Sequence, residues 1–348
     1  MEMFENAGRT EIADLGEFGL IDHLTKNIEL KNASTVKGVG DDAAVIDCGD
    51  HKMLVSTDML LEGVHFDLSY IPLKHLGYKA VTANLSDIFA MNGIPKQITV
   101  SIGISNRFSL EAVEELYKGV YLACEKYGID VVGGDTSSSR QGLIISVTAI
   151  GEANADTIAY RSGANDNDLL CISGDVGSAY MGLQLLEREK QVYIANPNMQ
   201  PDIEGWDYIV GRQLKPEARK EVIEWLAQNG VQPTSMIDVS DGVASEVFHL
   251  CQNSAIGMNV YEEKLPIDHQ TIQMAEELNI DVTTAALNGG EDYELMFTVK
   301  QEDFEKVKNA PNISIIGHCT PQNEGIHLIT KNNNKFALKA QGWQHLAK

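Results

Sequence analysis

Aspartates recur in this chain where candidate strands and helices meet short runs of glycine, serine and threonine, and any fold must account for them. Asp41 and Asp42 follow the glycines of GVGDDAAV (38–45), and Asp58 closes LVSTD. Asp87 sits in a helix whose other face is apolar, and Asp135 closes VVGGD. Asp238 and Asp241 flank IDVSDG, and Glu291 and Asp292 follow Gly289 and Gly290. Taken singly, each acid fits a cap, a turn or a solvated group, as Ser240 or Asp241 would at the helix beginning near Gly242. Asp87 does not, because a carboxylate among apolar side chains needs a partner.

GVGDDAAV fits the loose dinucleotide pattern G-x-G-x-x-G/A, but that pattern brings a pyrophosphate to bare backbone N–H groups. Two aspartates would repel such an anion. Two unit charges about 4 Å apart repel by roughly 4 kcal/mol at an effective dielectric of about 20, so converging carboxylates need cations. All-oxygen donors without paired His or Cys favour Mg2+, Mn2+ or Ca2+ over zinc, and Mg2+ retains open positions for phosphate oxygens. The acids would then hold metal and the metal would hold phosphate. One of Asp41 and Asp42 is available to ligate while the other fixes the loop. No P-loop, protein-kinase motif set, EF-hand loop or serine-hydrolase elbow is present.

Alternation of short apolar strands with amphipathic helices predicts an α/β or α+β fold. Strands are expected at 52–58, 97–104, 130–135, 143–151, 168–174 and 292–299, with a strand-to-helix unit at 236–254. Helices are expected at 73–93, 109–128, 178–190, 216–230 and 268–279. The polar stretch 151–168 marks a domain boundary, and 191–211 reads as a long connection. A length of 348 residues points to two domains. With 50 acids against 27 bases, the net charge of -23 argues against nucleic acid or anionic membrane as partner. Five scattered cysteines, a polar N-terminus and no membrane-length apolar run point to a cytoplasmic protein with reduced, mostly buried thiols.

GVGDDAAV, VSTDMLLEGVHF, NLSDIFAMNGIP, VVGGDTS, YRSGA, IDVSDG and NGGEDYEL occur in this order. Together they resemble the thiamine-monophosphate kinases, within the superfamily of aminoimidazole-ribonucleotide synthetase-like ATP-binding proteins. The resemblance runs from about residue 16 to Trp343. It implies a two-domain fold. Residues 1–152 would form an ATP- and Mg2+-binding domain whose mixed sheet dimerises through its strands, and 153–348 a C-terminal α/β sandwich. It also implies transfer of the γ-phosphoryl group of ATP to thiamine monophosphate, with several Mg2+ ions, in a homodimer.

By the same resemblance the metal ligands fall on Asp42, Ser56, Thr57, Asp58, Asp87, Asp135 and Asp238, with Asp241 at a further site. ATP contacts fall on Tyr117, Gly134, Asp135, Arg161 and Ser240, and substrate contacts on His65, Glu291 and Trp343. Phosphoryl transfer needs positioning and charge stabilisation more than covalent chemistry, so no nucleophile is assigned. Thiamine is cationic and aromatic, which suits a carboxylate and a stacking indole. Two features depart from the family pattern: Val243 and Glu246 in SDGVASEVFHL, where Leu and Asp are expected, and the length and polarity of 191–211. A related ATP-dependent synthetase is one alternative, but the reactive cysteines of the selenophosphate and hydrogenase-maturation relatives have no counterpart near the first glycine loop or in the terminal HLAK. A non-catalytic Mg2+–nucleotide-binding protein is the other.

Overall fold

A computed structural model describes residues 12–339. The first part of the chain runs α1 (Ile12–Thr25), β1 (Thr35–Lys37), β2 (Ala44–Asp47), β3 (Lys52–Leu61), α2 (Leu73–Ala90), β4 (Ile94–Ile104), α3 (Leu110–Tyr127), β5 (Asp130–Ser138) and β6 (Ile144–Ala153). Its six strands form one sheet in the order β1-β2-β3-β6-β4-β5, in which only the β4–β5 pair is parallel.

The second part runs β7 (Leu169–Ser173), α4 (Ser178–Ala195), α5 (Asp207–Leu214), α6 (Lys220–Asn229), β8 (Ser235–Val239), α7 (Val243–Ser254), β9 (Ile256–Tyr261), α8 (His269–Leu278), α9 (Val282–Asn288), β10 (Glu294–Val299), α10 (Phe304–Val307), β11 (Ile313–Pro321), β12 (Ile326–Ile329) and β13 (Lys335–Ala337). Seven strands form the second sheet, ordered β13-β12-β9-β11-β7-β10-β8 and antiparallel except at β9–β12.

Strand alternation sets the layers. Leu54, Ile98, Val100, Ile145, Val147 and Ala149 turn one face of the first sheet inward, where α2 covers it and α3 packs in turn on α2. That apolar cluster continues into the second part through Leu214, Met236, Leu295 and Phe297. Helix α2 therefore lies between the first sheet and β8 and β10 of the second, buried along most of its length. Helix α3 begins at a Ser109 cap, whose side chain accepts the Ala112 N–H, and stops at Gly128 (φ 71).

Several expectations shift. Pairing within the mixed sheets is mainly antiparallel. Asp58 and Asp135 lie inside longer strands, β3 and β5, rather than closing them. The connection at 191–211 is partly helical: α4 continues to Ala195 and α5 starts at Asp207, leaving 196–206 irregular. Packing overrides composition there, because Ile209 and Leu214 of α5 are buried, Ile209 beside Met181 and Leu185 of α4. Helices α1, α9 and α10 and strands β1, β2, β9 and β11 to β13 lie outside the predicted elements.

Helices α2 and α3 approach closely enough to bring backbone against backbone. A methyl group on Gly119 would overlap the Lys74 carbonyl, and one on Gly77 would overlap the Leu116 carbonyl. Gly119→Ala is expected to destabilise the fold by about 1–3 kcal/mol, the usual range for overpacking, read as a lower denaturation midpoint. An unchanged midpoint would show that the helices do not interlock as described.

Candidate active site

The glycine loop divides its two aspartates. Asp41 Oδ1 accepts the backbone N–H groups of Arg161 (3.0 Å) and Asp42 (3.3 Å), and Lys37 lies 3.5 Å from Oδ2. Asp41 thus ties the loop down. Asp42 turns inward, where Arg161 donates to its Oδ1 from Nε (3.1 Å) and Nη2 (2.7 Å). Its Oδ2 is buried without a hydrogen-bond partner.

Helix α2 carries the opposing polar groups. Asn84 Oδ1 accepts the Asp58 N–H (3.0 Å) and Ser86 donates to Asp238 Oδ2 (2.7 Å). Ser56 donates to Asp87 Oδ2. Carboxylate oxygens of Asp42, Asp87 and Asp238 lie within 4.8 Å of one another. Asp58, exposed on β3 at the edge of this group, adds its charge to both Asp87 and Asp238. Burial, then Arg161 and the neighbouring acids, leave Asp42 pushed up to about 7. Asp238 rises to about 6 chiefly through burial, and Asp87 stands well above the ordinary range through burial and then Asp58. The oxygens, their charge and the orphaned Asp42 Oδ2 fit hard divalent cations.

The segment Gly289–Tyr293 forms the adjoining wall. Gly290 (φ 72) crosses the 238–242 junction, where a Cβ would press on the Ser240 carbonyl at 2.7 Å. Ser240 O accepts the Glu291 N–H (2.6 Å), so Ser240, Asp241 and Glu291 share one corner. Glu291 (φ 59) and Tyr293 (φ 50) hold left-handed conformations that non-glycine residues seldom adopt. Asp292 anchors the strained segment by accepting the N–H groups of Gly177 (2.7 Å) and Ala179 (3.2 Å). Glu246 is buried on α7 and accepts the Asp241 N–H (3.1 Å), which gives the departure from the family pattern a local task.

The remaining predicted residues are not in this group. Thr57 alternates with Ser56 and Asp58, and its hydroxyl bonds Val147 O and the Thr148 hydroxyl on the sheet's outer face. Asp135 pairs with Ser101 on that same outer face. Gly134 and Asp135 lie on edge strand β5, three strands and about 14 Å from β3. The Tyr117 ring lies tilted against Tyr121 (5.8 Å) in a groove of about 340 Å³ along α3. His65 Nδ1 accepts the Leu61 N–H (3.0 Å), tying its ring to the end of β3. Trp343 lies outside the described residues.

Sequence reasoning passed over Asn84, Ser86, Lys79 and Tyr293, all of which bear on the cluster. Asn84 and Ser86 stand in the same NLSD run as Asp87, and polar residues in so apolar a helix were the available signal. Lys79 and Tyr293 carried none, because their partners come from the other part of the chain. Tyr293 is buried, and burial followed by Glu291, Asp58, Asp238 and Asp87 raises its phenol well above the ordinary range.

Residues 40–153 match the family described as AIR synthase related protein, N-terminal domain. Over 96% of its length the chain is 33% identical to a thiamine-monophosphate kinase of Aquifex aeolicus, covering 99% of that protein. It is 32% identical to one of Bacillus subtilis, covering 95% and 99% respectively. A solved structure, AaThiL complexed with AMPPCP and TMP, superposes with a TM-score of 0.83 at 32% identity, covering 97% of this chain and all of that one.

Folding raises Asp42 to about 7 and Asp238 to about 6 from an ordinary 3.8, so between those values the folded chain holds more protons than the unfolded one. Stability must then fall as pH rises through that window. His249 opposes this, since burial lowers its imidazole to about 4 and favours folding at higher pH. The two are separated by Asp87→Asn, which removes one of the raised carboxyls and leaves His249 in place. Without metal, the wild type is expected to lose more melting temperature than the variant between about pH 5 and pH 8, and to gain more from Mg2+ at the higher pH. Parallel melting curves for the two proteins would contradict the convergence of these carboxyls.

Proposed function

This chain belongs to the thiamine-monophosphate kinases, and from that membership we infer that it transfers the γ-phosphoryl group of ATP to thiamine monophosphate, yielding thiamine diphosphate and ADP. The observation that carries this to the present chain is the gathering of Asp42, Asp87 and Asp238, with Asp58 beside them, in a protein alike over nearly its whole length.

In this reading Asp42, Asp58, Asp87 and Asp238, with Ser56, Thr57, Asp135 and Asp241, hold several Mg2+ ions. When bound, these ions neutralise phosphate charge and help align the two substrates. Arg161 alternates between Asp42 and the ATP phosphates, and its planar fork suits both. Tyr117, Gly134 and Ser240 complete the ATP contacts, while His65, Glu291 and Trp343 serve thiamine monophosphate. The chain's own residues bind, orient and exclude water; none attacks phosphorus. A cysteine-based synthetase reading lacks support, since Cys124, Cys171, Cys251 and Cys319 are buried and burial pushes their thiols up.

Homodimer formation belongs to the same proposal and gives Thr57 and Asp135 a place. Both lie on the outer sheet face, too far apart within one chain to share an ion, and Met59 and Val132 on the same sheet are exposed. A second copy packed on that face would bring its Asp135 toward the β3 of the first. A cytoplasmic location accords with the five free cysteines. Among the described residues no helix is long and apolar enough to cross a membrane.

Purified protein with Mg2+, ATP and thiamine monophosphate is expected to form thiamine diphosphate, separated and detected as a fluorescent thiochrome, and EDTA is expected to abolish it. No diphosphate in the presence of Mg2+ would reject the kinase reading. Asp58→Asn is expected to lower turnover by about 100-fold or more while the protein stays folded.

Chain sharing makes a separate prediction. Asp58→Asn and Asp135→Asn proteins, each inactive, should regain activity when unfolded and refolded together, because half of the sites in mixed dimers would be intact. No recovery, with mixed dimers demonstrated, would confine each site to one chain.

A further inference from the structure

Lys79 is 1% exposed, in the middle of α2, a helix buried along most of its length. A lysine there must keep a counter-charge or lose its proton. Its Nζ donates to Glu291 Oε2 at 3.0 Å and to the Gln213 carbonyl at 3.2 Å. Gln213 Nε2 donates to the same Glu291 oxygen at 2.8 Å. Both protein donors therefore fall on Oε2. Oε1 is left to face a ligand, on a side chain that retains 29% exposure.

Spacing along α2 gives this pairing a second consequence. Ser86 follows Lys79 by seven residues, two turns on nearly the same stripe, and holds Asp238. Asp87 follows by eight and enters the carboxylate group. One rigid helix therefore grips Glu291 through Lys79 and the cation-binding acids through Ser86 and Asp87. Helix α5 supports the same arrangement, because Arg212 donates to the Asp292 carbonyl (3.2 Å) beside the Gln213 contact.

We propose that Lys79 is a positioning residue that, with Gln213, fixes Glu291 by Oε2 so that Oε1 meets the thiamine cation at a set distance from the metal-bound phosphates. This rests on the acceptor role read for Glu291 above. Lys79 itself touches no substrate and acts only through that carboxylate. A lysine kept merely to fill the core would act without regard to residue 291.

The experiment is a double-substitution cycle with ATP and thiamine monophosphate varied in turn, comparing wild type, Lys79→Met, Glu291→Gln and the pair. Lys79→Met is expected to raise KM for thiamine monophosphate about tenfold or more, with KM for ATP near that of wild type and kcat changing less. In the Glu291→Gln background the same substitution should add almost nothing. Equal effects in both backgrounds, or matched losses for ATP and acceptor, would overturn the proposal while leaving the role of Glu291 intact. An unchanged acceptor KM in Glu291→Gln alone would remove that role, and the proposal with it. If Lys79→Met fails to fold by near-ultraviolet circular dichroism, Gln213→Leu takes its place in the cycle, with a smaller shift and the same dependence on Glu291 as the expected outcome.

Discussion

Repulsion among carboxylates that packing forces together governs this structure. Asp42, Asp87 and Asp238 are drawn from a glycine loop, a helix and a strand, and Asp58 adds a fourth charge. Left alone they would push α2, β3 and β8 apart. The structure answers with one guanidinium, Arg161 on Asp42, and with neutral donors, Ser86 on Asp238 and Ser56 on Asp87. These lower the cost without cancelling it, since the carboxyls remain raised by burial. Such a site is built at the expense of stability, and cations bound there, as proposed, would restore it.

That compromise explains the composition of α2. A helix buried on most sides would be most stable if wholly apolar. This one places Lys79, Asn84, Ser86 and Asp87 among alanines, leucines and aromatics, and each polar group has a partner across an element boundary. Buried polar groups satisfied in this manner fix one arrangement of the surrounding elements, because any slip leaves several of them unpaired. The small residues Gly77 and Gly119 serve the same end by letting α3 close on α2.

Much of this was legible in the sequence. The period of apolar residues located α2 and α3 closely, with Ser109 and Gly128 marking the ends of α3. Acids beside glycine, serine and threonine located Asp42, Asp87 and Asp238 without coordinates. Pairing was not legible. Whether a strand lies parallel or antiparallel depends on long-range connection, so the order and pairing of the strands were not readable, and the interior positions of Asp58 and Asp135 were missed. Face was equally hidden: Thr57 and Asp58 are neighbours in sequence but point to opposite sides of β3, a consequence of the strand's two-residue period. Lys79 was passed over because a lone lysine at helical spacing looks like a solvated charge until Glu291, 212 residues later, is folded beside it.

The loop at Gly289–Tyr293 shows why such long-range pairings concentrate here. Its backbone is unfavourable at Glu291 and Tyr293, and local interactions do not make it otherwise. It persists because it is held from outside at three points: Asp292 by the N-terminus of α4, Glu291 by Lys79 and Gln213, and the Glu291 N–H by Ser240. Lys79 lies on the helix that bears Asp87, and Ser240 directly follows the strand that bears Asp238. The carboxylate group and Glu291 are therefore joined through one helix and one short loop. In the proposed reading, where these acids hold the donor's metal and Glu291 meets the acceptor, one framework sets both ends of the cleft, as in-line alignment of donor and acceptor demands.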